Sequence, residues 1–226
     1  MKQTPRLIVI VMLLGEAGCH NLERSRSVDD PAVARRTIAL QVCSNCHGMN
    51  GVSVSPMFPK LAAQPQEYLV AQLTDFRAHR RTDPNAQKFM WGFRHLSEAQ
   101  IEELAAYFST RPPPPATFGN SPLVDDGRAI YMAGIPSRGV AACSACHGAN
   151  GAGLGVTPRL AGQHADYIVK QLMVFRNSGQ RPRGDPMKPV SDNMSEQDMR
   201  SVAAFLEALP APSASTDGHS TARLVP

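Results

Sequence analysis

Long hydrophobic runs, a dominant charge sign and alternating strand patterns are all missing from this 226-residue chain. A membrane-spanning helix needs about 20 apolar residues, and the longest apolar run, Leu7 to Leu14, falls far short. The formal charge is only +4 and charged residues make up 19% of the chain. That does not argue for a nucleic-acid binder, which would need a dense basic stripe. No stretch alternates apolar and polar residues as a half-buried strand does, so no sheet is expected. Cysteine is scarce, with five residues, and four of these fall in two identically spaced pairs. Proline is plentiful, at 19 residues, and its clustering points to linkers and irregular loops.

The N-terminus has the plan of an export signal: Lys2 and Arg6, the apolar core Leu7 to Leu14, then small residues at Gly15, Ala17 and Gly18. Cys19 behind Ala17-Gly18 resembles a bacterial lipoprotein cleavage site, although Glu16 stands where that pattern has an aliphatic residue. The expectation is a periplasmic protein, soluble or tethered to the membrane by a lipid on Cys19. The competing reading is a cysteine discarded with a leader spanning 1–19.

The rest of the chain is one unit written twice. Cys43-Ser44-Asn45-Cys46-His47-Gly48-Met49-Asn50-Gly51 returns as Cys143-Ser144-Ala145-Cys146-His147-Gly148-Ala149-Asn150-Gly151. Pro59-Lys60-Leu61-Ala62-Ala63-Gln64 returns as Pro158-Arg159-Leu160-Ala161-Gly162-Gln163, and Tyr68 to Leu73 as Tyr167 to Leu172. Phe76-Arg77 and Leu96-Ser97-Glu98 also recur, as Phe175-Arg176 and Met194-Ser195-Glu196. Agreement sustained over about eighty positions marks a duplicated domain. The expected limits are 28–111 and 123–210, with a linker at 112–122. That linker opens on Pro112-Pro113-Pro114-Pro115, which favours extended polyproline II and a semi-rigid spacer. The Ser-, Thr- and Pro-rich tail at 211–226 is expected to be disordered.

Each unit reads as all-α. In the first, a helix is expected over 32–42 with Val33, Ile38 and Leu40 as packing residues, and another over 67–78 with Leu69, Leu73 and Phe76 on one side. Ser97 with Gln100 has the spacing of a capping box. It precedes a helix whose apolar face is Ile101, Leu104, Ala105 and Phe108. The matching segments of the second unit are 124–133, 165–177 and 195–209.

Cys-x-x-Cys-His is the attachment signature of c-type haem. Two thiols at this spacing can each bond one vinyl group of the porphyrin, and the adjacent His47 or His147 reaches the iron from the same face. Four cysteines could instead pair as disulfides or hold zinc. Neither alternative calls for a histidine at the same place after each pair, and the pairs lie 100 residues apart. Two haems, covalently bound through Cys43, Cys46, Cys143 and Cys146, are the expected cofactors.

A Met thioether opposite the His raises the potential and suits electron transfer. Met90 lies six residues before Leu96-Ser97, and Met187 seven before Met194-Ser195. Both are candidate ligands, with core packing as the competing role. Met57 in the Pro56-Met57-Phe58-Pro59 loop and His95, which has no counterpart in the second unit, are rivals to Met90. His79, His164, His20 and His219 are read as solvated or as belonging to the chain ends. The arginines of 77–81 and 176–183 are expected either on a solvated face or near haem propionates or an acidic partner.

With these motifs the chain resembles the cytochrome c4 family of bacterial dihaem cytochromes. The resemblance covers 28–210 and rests on the duplicated Cys-x-x-Cys-His-Gly-x-Asn-Gly, the Pro-x-Leu-Ala-x-Gln step, the Tyr-x-x-x-Gln-Leu helix and the Met before Leu-Ser or Met-Ser. It implies two tandem class I cytochrome c domains in a pseudo-twofold arrangement, with His47 and Met90 on one iron and His147 and Met187 on the other. It also implies that the backbone carbonyls of Pro59 and Pro158 orient the axial histidines. The implied role is electron transfer between periplasmic or membrane donors and a terminal oxidase or quinol-oxidising complex, without catalysis by the chain itself. The alternatives are an electron-entry subunit of an oxidase or dehydrogenase complex and a dihaem peroxidase.

Overall fold

Helices joined by irregular loops make up both halves of the computed structural model, which describes residues 35–115, 117 and 122–212. The export signal, Cys19, His20, Val33 and His219 lie outside the described residues. In the first half α1 (Arg35–Ile38) runs through a π-helical turn (Ala39–Cys43) into α2 (Ser44–His47). There follow α3 (Gln66–Arg77), α4 (Pro84–Phe89), a 3-10 turn (Trp91–Phe93) and α5 (Glu98–Ser109). The second half has α6 (Pro122–Ala133), a 3-10 turn (Pro136–Arg138), α7 (Ser144–His147) and α8 (Ala165–Phe175). It closes with a 3-10 run (Pro182–Met187), α9 (Lys188–Asp192) and α10 (Glu196–Ala208). Among the described residues the only β pairings are two isolated bridges, Ile135 with Val140 and Leu154 with Thr157.

Each half has its own apolar core. The first gathers Ile38, Ala39, Leu69, Leu96, Ile101, Leu104, Ala105 and Phe108. The second includes Tyr131, Ile168, Leu172, Met194, Met199, Val202, Phe205 and Leu206. Leu40 is not in this core, contrary to the helical pattern. The wide π turn carries five residues per hydrogen-bonded step rather than four, so the buried pair is Ile38-Ala39 and Leu40 is turned aside.

The last helix of each half is started by a capping box. Ser97 Oγ accepts from the Gln100 amide (3.2 Å) and Gln100 Oε1 from the Ser97 amide (2.9 Å). In α10 the same exchange links Ser195 and Asp198, at 3.2 and 2.6 Å. Such caps satisfy amides that have no partner within the helix. Helix α6 lies so close along α10 that a Cβ on Gly127 would sit 1.9 Å from the Ser201 carbonyl oxygen. The polyproline stretch is not only a spacer: Pro114 is buried, its ring against Gly162 of the second half.

The halves meet across a buried polar seam. Arg81 binds Asp83 (3.0 Å) and Gln72 (3.0 Å) within the first half. Arg181 crosses from the second half to Tyr68 (2.9 Å) and Gln72 (3.2 Å). Arg183 reaches Asp75 at 2.8 Å. Two expectations are thereby corrected. Arg81 and Arg181 are buried rather than spread on a solvated face. His164 is buried too, its ring bonded to Ser53 O across the seam at 2.8 Å and 3.4 Å from Glu207.

Candidate haem sites

One helical turn carries each Cys-x-x-Cys-His motif. Cys43 caps α2 and Cys143 caps α7, so the two thiols of each motif lie three residues apart and the histidine one residue further on the same short turn. Residues at this spacing share a helix face. Gly48 and Gly148 follow with φ +80 and +79, turning the chain away at once. At Gly48 a Cβ would meet the Val52 carbonyl oxygen at 2.3 Å, so only glycine fits there. None of the four motif cysteines is in a disulfide, so all four sulfurs are available for attachment. Burial, partly offset by a backbone N–H, pushes the Cys43 and Cys143 thiols up to about 11.

The two histidines are buried and held alike. His47 Nδ1 is 2.9 Å from Pro59 O, and His147 Nδ1 is 3.0 Å from Pro158 O. A carbonyl oxygen can only accept, so Nδ1 carries the proton and Nε2 keeps its lone pair. Burial lowers both imidazoles below the ordinary range, against the opposing pull of the carbonyl. Both rings are thus neutral, the ligating form, and among the described residues Nε2 has no hydrogen-bond partner.

A continuous, mainly apolar cavity of about 980 Å³ opens in front of these rings. Cys43, Cys46, His47 and Met90 line it from the first half, and Cys143, Cys146, His147 and Met187 from the second. All eight sequence-predicted site residues are therefore brought together on one cavity. Their chemistry fits two covalent haems: paired thiols, a neutral imidazole with a free nitrogen, and a thioether beside each. Met57 also touches the cavity but is 48% exposed on its loop. His95 is exposed and does not reach the cavity.

The methionine-bearing segments are held in different ways. Met90 ends α4, whose N-terminus is capped by Asp83 Oδ1 at 3.2 Å. Trp91 beside it donates from Nε1 to Arg81 O (2.8 Å) and stacks on His79, with ring centres 4.4 Å apart. His79 also bonds Trp91 O at 3.2 Å, so it braces this segment rather than standing in solvent. Met187 ends the 3-10 run Pro182–Met187, and Ser191 Oγ donates to its carbonyl at 2.8 Å. Sequence reasoning missed the roles of Trp91, Gln64 and Gln163. The two glutamines were visible only as part of a repeated step.

The cytochrome c family pattern matches residues 32–111 and 124–210. A cytochrome c4 from Thiocapsa roseopersicina is 39% identical over 188 residues, covering 80% of this chain and 94% of that protein. The chain belongs to the cytochrome c4 family. A solved cytochrome c4 of Acidithiobacillus ferrooxidans is 36% identical, with a TM-score of 0.69 over 74% of this chain and 98% of that one. A thiosulfate dehydrogenase electron acceptor from Thiomonas intermedia is 32% identical over 176 residues, covering 74% of this chain and 78% of that protein. Like other members of the cytochrome c4 family, the chain is two tandem class I cytochrome c domains carrying two covalently bound haems c, and it transfers electrons in bacterial respiration.

Proposed function

We propose that the first haem is attached through Cys43 and Cys46 and held between His47 and Met90. The second is attached through Cys143 and Cys146 and held between His147 and Met187. The haem supplies a one-electron couple at its iron; the chain supplies two axial donors, an apolar wall and a fixed histidine tautomer. The observation that carries this reading is the pair of buried neutral imidazoles, each with Nδ1 on a proline carbonyl and Nε2 open towards a shared cavity that both methionines line. Met90 and Met187 would supply the second donor to each haem, which would leave no position for substrate. The chain is then a carrier, not a peroxidase. Domain limits of 28–111 and 123–210 belong to the same proposal; α5 ends at Ser109, and α6 opens at Pro122, the last residue of the expected linker.

The electron donor or acceptor is a redox protein. A terminal oxidase or quinol-oxidising complex is the first choice. The resemblance to a thiosulfate dehydrogenase electron acceptor favours a dehydrogenase as the second. The basic N-terminus and apolar core Leu7 to Leu14 support a periplasmic location. Among the described residues no helix is long and apolar enough to cross a membrane. A lipid on Cys19 remains part of the proposal.

The test is the ferric spectrum of the holoprotein. Sulfur-to-iron charge-transfer absorption is expected at the strength of two haems. Met90→Ala and Met187→Ala should each remove half of it and lower the potential of one haem, whereas Met57→Ala should remove none. High-spin ferric haem in the parent protein would sink the carrier reading for that domain.

A further inference from the structure

The peptide group that holds each axial histidine is gripped from the opposite domain. Pro59 O accepts from His47 Nδ1, and the N–H of that same peptide, on Lys60, donates to Gln163 Oε1 at 2.8 Å. Gln163 Nε2 then donates to Lys60 O at 3.0 Å. The converse contact repeats it: Arg159 N donates to Gln64 Oε1 at 2.9 Å, and Gln64 Nε2 to Arg159 O at 2.9 Å, on the peptide whose Pro158 carbonyl holds His147. The backbone N–H and C=O leave each amide only one orientation. Gln64, Gln163, Lys60 and Arg159 are all buried, at 1–6% exposure, so water does not compete for these bonds.

We propose that Gln64 and Gln163 are reciprocal positioning residues, each setting the donor strength of the axial histidine in the other domain. This rests on the His47 and His147 ligation proposed above. An acceptor on the N–H of a peptide shifts density towards its carbonyl oxygen, and hydrogen bonds in a chain polarise one another in a low dielectric. The more basic carbonyl pulls harder on the Nδ1 proton and gives the ring more imidazolate character. A stronger donor favours ferric iron. Each domain therefore lowers its neighbour's potential through three linked groups: glutamine, peptide and imidazole. The two arms differ at the glutamine oxygen. Gln163 Oε1 is shared with the His164 amide at 3.1 Å, whereas Gln64 is followed by Pro65, which has no N–H. Gln64 gives its oxygen to one backbone donor, so its effect is the larger.

The experiment is a redox titration and proton–nitrogen NMR of the ferrous dihaem protein carrying Gln163→Met or Gln64→Met, which keep length and remove the amide. Gln163→Met should raise the potential of the first-domain haem and shift the His47 Nδ1 proton upfield, leaving the second haem unmoved. Gln64→Met should do the same to the second haem and His147, by about threefold in the reduced-to-oxidised ratio, or about 28 mV for a one-electron couple. A shift of the haem in the mutated residue's own domain, or of neither, overturns the proposal. If Gln163→Met loosens the seam, Gln163→Glu decides. It keeps an oxygen in reach of Lys60 N, so the Lys60 amide and His47 Nδ1 protons should move downfield together; a His47 signal that does not follow Lys60 overturns it. The sulfur-to-iron absorption and low-spin spectrum of the same samples report ligation separately, so failure of the ligand assignment is distinguished from failure of the cross-domain effect.

Discussion

The two domains share one haem-attachment design but reach it by different routes. In the first, α1, the π turn and α2 run as one helical path into Cys43. In the second, Gly134 at φ +69 ends α6, and a loop closed by the Ile135–Val140 bridge intervenes before Cys143. From the motif to the proline carbonyl the domains then coincide to within 0.1 Å in the histidine bond. They part again at the methionines, one on an α-helix end braced by Trp91 and the other on a proline-containing 3-10 run. The histidine side is set by covalent attachment and one hydrogen bond, which leave little freedom. The methionine side needs only a thioether delivered at the right depth, and several backbones can do that.

Substitutions chosen where the domains differ should act on one of them alone. The largest effect is expected at Gly127, where a Cβ on the entry helix of the second domain would overlap the Ser201 carbonyl of α10. Gly127→Val forces α6 from α10 and should cost about 3 kcal/mol. Thermal unfolding is expected to split into two transitions, with only the second-domain haem signal moving to lower temperature. Next is Trp91→Leu, which removes the stack on His79 and the bond to Arg81 O. A loss of about 1–2 kcal/mol is expected, and the sulfur-to-iron band should weaken for the first haem only. Unchanged intensity would show that α4 alone holds Met90.

The capping boxes give a pH contrast. The first uses the amide of Gln100, which does not titrate, and the second uses the carboxylate of Asp198. Burial tends to raise Asp198, but hydrogen bonds from Ser195 and the Arg138 guanidinium outweigh it and hold the carboxyl below its usual 3.8. A depressed native value means that the unfolded chain binds the proton first. The stabilisation is present above about pH 4 and lost as pH falls through the lower native value. The second domain should therefore lose the contribution of the Asp198 carboxylate in acid, while the cap of the first domain is unaffected. Asp198→Asn should flatten the difference, read as the pH dependence of each domain's unfolding.

The smallest effect tests one backbone position shared by both domains. Ala63 sits at φ +54 where its equivalent is Gly162 at φ +69. A residue with a Cβ is strained there, so Ala63→Gly should stabilise the first domain by up to about 1 kcal/mol despite added unfolded-state freedom. Gly162→Ala should destabilise the second by a similar amount, since its Cβ would lie 3.1 Å from Pro114. Urea midpoints of the two variants measure both.

Much of this was legible in the chain. The duplication, the helices of 66–77, 98–109 and 196–208, and the Ser97–Gln100 cap all follow from local spacing, and local spacing is what a helix obeys. Six of the eight site residues could be nominated because haem attachment demands neighbours in sequence, and Met90 and Met187 because each precedes the capped last helix of its unit. The errors fell where contacts are distant. His79, His164, Arg81 and Arg181 look like ordinary polar residues of surface helices and loops. The burial of the last three, and the half-burial of His79, arise from partners about ten to more than a hundred positions away. Leu40 failed for a different reason: a single π turn breaks the 3.6-residue period on which the pattern rests.

By itself the amino-acid sequence determined the two haem-attachment turns, because covalent bonding to one porphyrin constrains five consecutive residues and nothing else. Only the tertiary structure decided how the two turns face one another. The shared cavity, the buried arginine seam and the crossed grip of Gln64 and Gln163 join segments about a hundred residues apart. A hydrogen bond between distant segments leaves no period and no spacing in the chain. It exists only once two domains have packed closely enough to exclude the water that would otherwise satisfy it.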